Sequence, residues 1–525
     1  MKKILISLIA LVIIFGTTSC SDFLDQPILG QNIDTPEYYN NEENARLALG
    51  GCYHTLVYHT KNCAFRWVYG DVRSDDAEKG GGGASDGLDI QYIKDWDVLA
   101  TNSYCSGPWN SSYSAIYATN TFIERMKKAD FDEKSIMQYV AEAKFIRAYA
   151  YFLLVNYFGD VPLFTQPVDL NKLNNVKRDP FEVVLEQIEK DLTESAAVLP
   201  ESYPAAEVGR ITSGAAKALH ARVVMYSIGI FKTKPESAWK EVYDLADDVI
   251  RSGMYNLYPN YAEIFELEGE NCSESVLEFQ FKTTKTGWGN NQGNPGDVFV
   301  GTKGKNNDGW GWGFNCPTQD LVDEFEAKDP RLYATVYGGD VATYQYGIEE
   351  GVKKESHNTG YSTRKLALDP IYRPTEHSDG PSNVRAIRYS DVLLMKAEAA
   401  FHLNKENETR ALINQVRSRA RTSTYPKGFL KDQNVYSPTG FIGNLPDIPT
   451  SVQGQELLKA LKHERRVELA MEGLRFWDLV RWGDYRDTLL DEAKTRFDKR
   501  QLRGVPVLPI PETEVVSWGL QQNPS

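Results

Sequence analysis

Most of the features that announce a function are missing from this chain. Its six cysteines include no Cys-x-x-Cys pair, so neither a zinc knuckle nor a dithiol redox motif is written into it. Cys52, Cys63, Cys105, Cys272 and Cys316 form an odd set at irregular spacing, which is no disulfide framework, although a bridge among Cys52, Cys63 and Cys105 stays open. No phosphate-binding loop or dinucleotide fingerprint occurs. His463-Glu464 has valine at 467 where a zinc protease helix needs its second histidine. A basic excess is lacking too: 58 Lys and Arg stand against 72 Asp and Glu, a net charge of −14, which argues against nucleic acid or an anionic surface as partner. No Ser/Pro-rich or charged linker cuts the 525 residues, so one interlocked body with an extensive core is expected.

No apolar run reaches the roughly 20 residues of a membrane span either. The longest, Ile4 to Phe15, is broken only by Ser7, follows the basic Lys2-Lys3 and leads through small residues to Cys20. That is an export signal. A cysteine at the cleavage point, followed by Ser21-Asp22, resembles the lipobox of bacterial lipoproteins, in which the thiol takes a diacylglycerol and becomes the new N-terminus. Thr17 and Thr18 stand where Leu and a small Ala-like residue are commoner, and an ordinary secretory signal is the alternative. The expected layout is a signal peptide over 1–19 and a lipidated Cys20 with its tether over 20–40. Loss of Lys2 and Lys3 with the leader takes the charge from −14 to −16.

From Asn41 onward the apolar period is helical. Asn41-Glu42-Glu43 opens a helix with acids in its first turn, where they suit the helix dipole. Further helices are predicted over 109–128, 132–158, 180–198, 213–230, 239–252, 389–403 and 409–420. Ala143, Ala148 and Ala150 beside Phe145, Tyr149 and Tyr151 give the small-and-large mixture that lets helices approach. Ala218 to Met225 and Leu394 to Phe401 share a pattern like the first helix of a tetratricopeptide repeat, without its regular period. Between about 255 and 385 the period lapses, and glycines and aromatics crowd into Gly287-Trp288-Gly289 and Gly309-Trp310-Gly311-Trp312-Gly313. A second long loop, Asp71 to Trp96, centres on Ser74-Asp75-Asp76 and Gly80 to Gly83. Loops of this length in a compact protein usually carry function.

Particular residues carry a family resemblance. Cys20-Ser-Asp22-Phe-Leu-Asp25, Phe145-Ile-Arg147-Ala-Tyr149 running into Tyr157-Phe-Gly159-Asp160, and Glu464 to Gly483 resemble the SusD/RagB family, as do Leu508 to Glu514 and Gln522-Asn523-Pro524. The resemblance spans essentially the whole mature chain. It implies a mainly α fold with tetratricopeptide-like helix pairs as scaffold and a loop-rich irregular region packed on them. In residue terms this is a single SusD-like domain over 41–525, with scaffold at about 41–254 and 386–525 and ligand region at about 255–385. It further implies a surface-exposed outer-membrane lipoprotein, held to the membrane by its lipid. Such a protein binds a nutrient, usually an oligosaccharide, and acts as a hinged lid on a SusC-like TonB-dependent transporter.

Glu464, Glu468 and Glu472 recur every four residues, like a catalytic helix face, but like charges at that spacing need partners, and Arg465, Arg466 and Arg475 are near in sequence. The segment reads as structural, as do Glu142 and Arg147. Asp75 and Asp76 are adjacent, whereas a glycosidase needs two carboxylates set apart across a cleft. No catalytic residue, metal ligand or cofactor is therefore expected. Binding is better supported, because sugar rings lay flat C–H faces on aromatic rings while their hydroxyls seek polar partners. Trp288, Trp310 and Trp312 sit in glycine-rich loops with few large neighbours to bury them; Trp239, Trp477 and Trp482 lie on helices. Trp96 with Asn102 and Tyr104 is a second aromatic candidate group, and Asp71, Arg73 and Asp75 are the polar candidates. A surface glycoside hydrolase and a helical-repeat adaptor for peptide or glycoprotein uptake are the alternatives.

Overall fold

The computed structural model describes residues 36–523, apart from 62–63, 170–172, 175, 285–291, 307–308, 353, 356–357, 441–443, 486 and 490–506. The signal peptide, Cys20, most of the tether, Cys63 and Trp288 lie outside the described residues. Within them, short polar side chains set several helix starts. Asn41 Oδ1 accepts from Asn44 N at the start of α1 (Glu42–Lys61). Asp132 accepts from Ser135 N before α3 (Glu133–Phe158), and Thr212 from Ala215 N before α5 (Ser213–Gly229). The intervening helices are α2 (Ser103–Met126) and α4 (Phe181–Val198). Helix α6 (Trp239–Arg251) follows, and after a long gap come α7 (Tyr389–His402), α8 (Glu406–Arg421), α9 (Gly454–Leu469) and α10 (Arg475–Trp482).

Helix α2 begins six residues ahead of the expected Trp109, because Asn102 caps it and Pro108 does not break it. A proline at 108 leaves the Tyr104 carbonyl without its helical donor. The Tyr69 hydroxyl donates to that carbonyl instead.

Each helix packs on the next, α1 on α2 and so on through α6. Helix α6 then packs on α7, although 137 residues intervene, and α7 and α8 pack on α9. The loop-rich segment is thus an insertion between consecutive helices of one array. Its base is closed by antiparallel pairing of β2 (Ser275–Phe279) with β6 (Val384–Arg388), which brings the two ends of the insertion together; β1 (Ala77–Gly80) precedes them in the chain. Inside the insertion lie β3 (Phe314–Pro317), β4 (Val336–Gly338) and β5 (Tyr361–Thr363). β4 pairs with β5, and β1 pairs with β3.

The glutamate series does not run along one helix. Helix α9 stops at Leu469, Met471 and Gly473 take positive φ of 60° and 73°, and Glu472 lies in the turn. Partners for the three carboxylates come from far along the chain rather than from the neighbouring arginines. Glu464 meets Arg331 at 2.5 Å and Arg417 at 3.1 Å; Glu468 meets Arg419 at 2.5 Å, Arg388 at 3.0 Å and Arg331 at 3.1 Å. Glu472 takes Arg388 at 2.6 Å and Lys365 at 2.7 Å. Arg465 turns to Asp391 and Asp478, while Arg466 and Arg475 turn to the acidic loop. Glu464 and Glu468 are fully buried and Glu472 is partly buried; burial alone would raise the pKa of Glu468, but the arginines around it drive it below the usual carboxylate range. The structural reading of Glu142 and Arg147 agrees with their pairing, to Arg210 at 2.5 Å and to Asp191 at 2.7 Å. Cys52 and Cys105 are separate free thiols, as are Cys272 and Cys316, so the open Cys52–Cys105 bridge does not form.

Candidate functional site

The two candidate loops meet. Strand β1 continues the acidic loop and β3 continues the tryptophan loop, with Glu78 opposite Cys316 and Gly80 opposite Phe314. Past the strands, Gly81 N donates to Gly313 O at 2.7 Å. Gly80 and Gly313 both have positive φ, at 75° and 71°. A Cβ on Gly80 would lie 2.1 Å from the Gly313 carbonyl, so only glycine allows this approach. The glycine crowding read from the sequence therefore serves backbone contact.

The tryptophan loop folds back on residues 301–303. Gly309 N donates to Lys303 O, Gly311 N to Thr302 O and Gly313 N to Gly301 O, at 2.8, 2.9 and 2.9 Å. A Cβ on Gly311 would lie 2.0 Å from Gly301. Trp310 and Trp312 alternate with these glycines and are half-buried. Trp312 meets Phe299 edge-on with centroids 4.7 Å apart, which supports it from within the insertion. Around Trp310 the neighbours are polar: the His377 ring lies 5.6 Å away at 71°, and the Arg373 guanidinium 5.7 Å from the ring centre. Arg373 is held in turn by Glu350 at 2.5 Å and by the Leu368 carbonyl at 3.0 Å. The Trp310 Nε1 is buried without a hydrogen-bond partner. Arg373, His377 and Glu350 escaped the sequence reading, because they reach the tryptophan from turns that no motif marks.

The second aromatic group is bound into the protein. Trp96 adopts φ of 59°, with the Arg73 guanidinium 4.8 Å from its ring centre, Phe476 edge-on at 5.7 Å and Tyr485 parallel at 6.5 Å. Asn102 is the buried cap of α2: its Oδ1 accepts from Tyr104 N at 2.8 Å and its Nδ2 donates to Asp89 O at 3.0 Å. Tyr104 is half-buried.

The polar candidates differ from expectation in the same way: they face inward. Asp71 is fully buried; its Oδ1 accepts from Gly473 N at 2.8 Å and its Oδ2 from Asn315 Nδ2 at 3.3 Å. Burial pushes its carboxyl up to about 7. Asp75 takes a bidentate pair from Arg475, both contacts at 2.8 Å, and Arg466 at 3.0 Å. Arg73 is buried between Trp96 and Phe476. An acidic loop reads as solvated when its partners are invisible, and here they sit some 400 residues away in sequence.

Asp75 and Asp76 do carry the split that acid and base pairs often show. Burial would raise both; Arg475 and Arg466 pull Asp75 down, while Asp76 stays raised. They are 6% and 0% exposed and tied to arginines, so substrate does not reach them. The exposed polar groups nearby belong to Gly82 to Asp86, where Gly82 N donates to Asp86 Oδ2 at 2.6 Å and Lys303 reaches across from the tryptophan loop.

This architecture defines a mainly α helix-pair scaffold interrupted by a loop-rich insertion that displays half-buried tryptophans beside an arginine and a histidine. Two family models match it: one described as the SusD family over residues 273–524, and one described as starch-binding, associating with the outer membrane, over residues 57–225. The chain belongs to the SusD/RagB family. It is 26% identical to SusD-like protein P25 of Formosa agariphila, over 98% of this chain and 95% of that one. Among solved structures it resembles a laminarin-binding SusD-like protein, at 28% identity and a TM-score of 0.75, covering 93% of this chain and all of the other. It also resembles surface glycan-binding protein A from Bacteroides fluxus, at 25% identity and a TM-score of 0.74, covering 92% and 99% of the two chains.

Proposed function

We propose that this chain is a non-catalytic, cell-surface glycan-binding lipoprotein that captures oligosaccharide and passes it to a SusC-like TonB-dependent transporter in the outer membrane. The observation that carries the reading is the full-length likeness, in fold and sequence, to a protein named for laminarin binding, combined with a tryptophan loop braced from below. The half-buried faces of Trp310 and Trp312 supply the stacking surface for a sugar ring, with Trp288, outside the described residues, as a third candidate by sequence. Arg373 and His377 supply donors beside Trp310 for ring hydroxyls. Attachment through Cys20, outer-membrane location and the lid role rest on the export signal and on what the family implies.

Calorimetry of the soluble form with laminarin, laminarihexaose, starch and unrelated polysaccharides tests the reading. Binding of at least one glycan, without release of reducing sugar, is the expected result. No binding across a broad panel, together with failure to co-purify with a transporter, rejects it. Reducing-sugar release would move the reading to a glycoside hydrolase.

A further inference from the structure

Away from the loop face, three consecutive scaffold helices bring together a histidine and two carboxylates. Glu189 on α4, His220 on α5 and Glu241 on α6 each offer one ligand atom, and these atoms lie within 4.8 Å of one another. His220 is 7% exposed, and its Nε2 is buried without a hydrogen-bond partner, 3.6 Å from Glu241 Oε1. Buried imidazole nitrogens are normally satisfied, so an unpartnered one aimed at a carboxylate pair calls for a reason.

A cation already sits there. Lys234, from the connection between α5 and α6, places its Nζ 3.0 Å from Glu189 Oε2 and 2.9 Å from Glu241 Oε2. The lysine neutralises the carboxylates but makes no hydrogen bond to Nε2, whereas a metal ion would accept a lone pair from all three groups. Its side chain is 23% exposed, which gives it a route outward.

We propose that Glu189, His220 and Glu241 form a divalent transition-metal site, with zinc as the reference ion, and that Lys234 is the resident cation the metal displaces. One imidazole nitrogen with two carboxylate oxygens is a donor set for zinc rather than for calcium or magnesium, which prefer oxygen alone. Ligand atoms around zinc stand about 3.3 Å apart at bond lengths near 2 Å, so the side chains close by about an ångström through rotamer changes. The bound ion would clip α4, α5 and α6 together and stabilise the scaffold by mass action, away from the glycan loops.

The test is zinc titration of the chelator-stripped full-length protein by calorimetry, with cobalt spectra reporting coordination geometry. Wild type is expected to take up one equivalent with a raised melting temperature. Lys234→Ala should bind about tenfold tighter or better, and both His220→Ala and Glu241→Gln should weaken uptake by about tenfold or more. Glu241 is partly exposed, so its conservative variant keeps the fold if His220→Ala does not. Wild type that takes up no zinc overturns the proposal, as does uptake that survives His220→Ala and Glu241→Gln unchanged. Glycan affinity should not change in any of these variants.

Discussion

Replacing Asp71 by asparagine should stabilise this protein, and more so as pH rises. The carboxyl titrates near 3.8 when solvated and at about 7 in the fold. Burial is the main cause, opposed by the hydrogen bond from Gly473 N and reinforced by the charge of Asp76. A folded-state pKa raised above the unfolded value means that the fold holds a proton the unfolded chain releases. The stabilisation is fully present below 3.8 and is lost as pH rises through 7. At about 1.4 kcal/mol per pH unit, ionisation across this interval removes roughly 4 kcal/mol. Asparagine keeps the carbonyl that Gly473 N needs. Its amide then faces Asn315, whose Oδ1 is buried without a partner and becomes the acceptor once that amide flips. Between pH 5 and pH 8 the stability gap in favour of Asp71→Asn should widen by roughly 3 kcal/mol, read from urea midpoints followed by tryptophan fluorescence. A gap that does not vary with pH, or a variant less stable than wild type at pH 8, refutes the burial argument. Affinity for a glycan that the wild type binds should stay within about twofold, since the carboxyl does not face solvent; a large loss with no change in pH slope would return Asp71 to the ligand site.

Three further outcomes follow from the same geometry. Glu468→Ala removes a buried carboxylate shared by Arg331, Arg388 and Arg419, each of which keeps another acidic partner, and should cost about 3 kcal/mol of stability, seen as a lowered denaturation midpoint, whereas a surface change such as Glu456→Ala should stay within about 0.5 kcal/mol. Tyr69→Phe removes the hydroxyl that stands in at the Tyr104 carbonyl for the donor Pro108 lacks; about 1 kcal/mol should be lost, and hydrogen exchange should rise in the first turns of α2. Trp310→Ala should weaken oligosaccharide binding by roughly 1–3 kcal/mol in calorimetry with far-UV circular dichroism unchanged, and unaltered affinity in this variant, Trp288→Ala and Trp96→Ala would move the site to other loops.

What was legible in the sequence divides along the range of the interactions. Helix α3 could be read to within a residue because its cap, Asp132, and its closing Gly159 are local. The insertion was visible as a lapse of helical period. Its placement between α6 and α7 as neighbours was not, because that depends on β2 pairing with β6 across about a hundred residues. The end of α9 was missed for a different reason. Glu472 keeps the four-residue spacing of Glu464 and Glu468 although it stands beyond the helix, and only Gly473, at positive φ, marks the break. The acidic loop misled most. Residue type and glycine content are the same for a solvated loop and for one whose carboxylates are buried, and only the Arg466 and Arg475 contacts separate the two.

Those long-range contacts bear on how a binding face can be built from irregular loops. A loop-rich insertion has little ladder hydrogen bonding of its own, so its precision must come from elsewhere. Here Arg331 and Lys365, both within the insertion, are drawn to Glu468 and Glu472 at the end of α9, and Arg388 at its exit meets the same two carboxylates. Asp75 and Asp76 fasten the acidic loop to Arg475 and Arg466, and β1 carries that loop to β3, which continues the tryptophan loop. Buried ion pairs are weak sources of net stability, but removing one partner is expensive, so they hold position strongly. The segment that looks most like a catalytic helix therefore works as the frame on which the acidic and tryptophan loops are mounted. A variant that weakens this frame without unfolding the scaffold, such as Arg475→Lys, should lower glycan affinity through loop disorder, although residue 475 never meets the sugar.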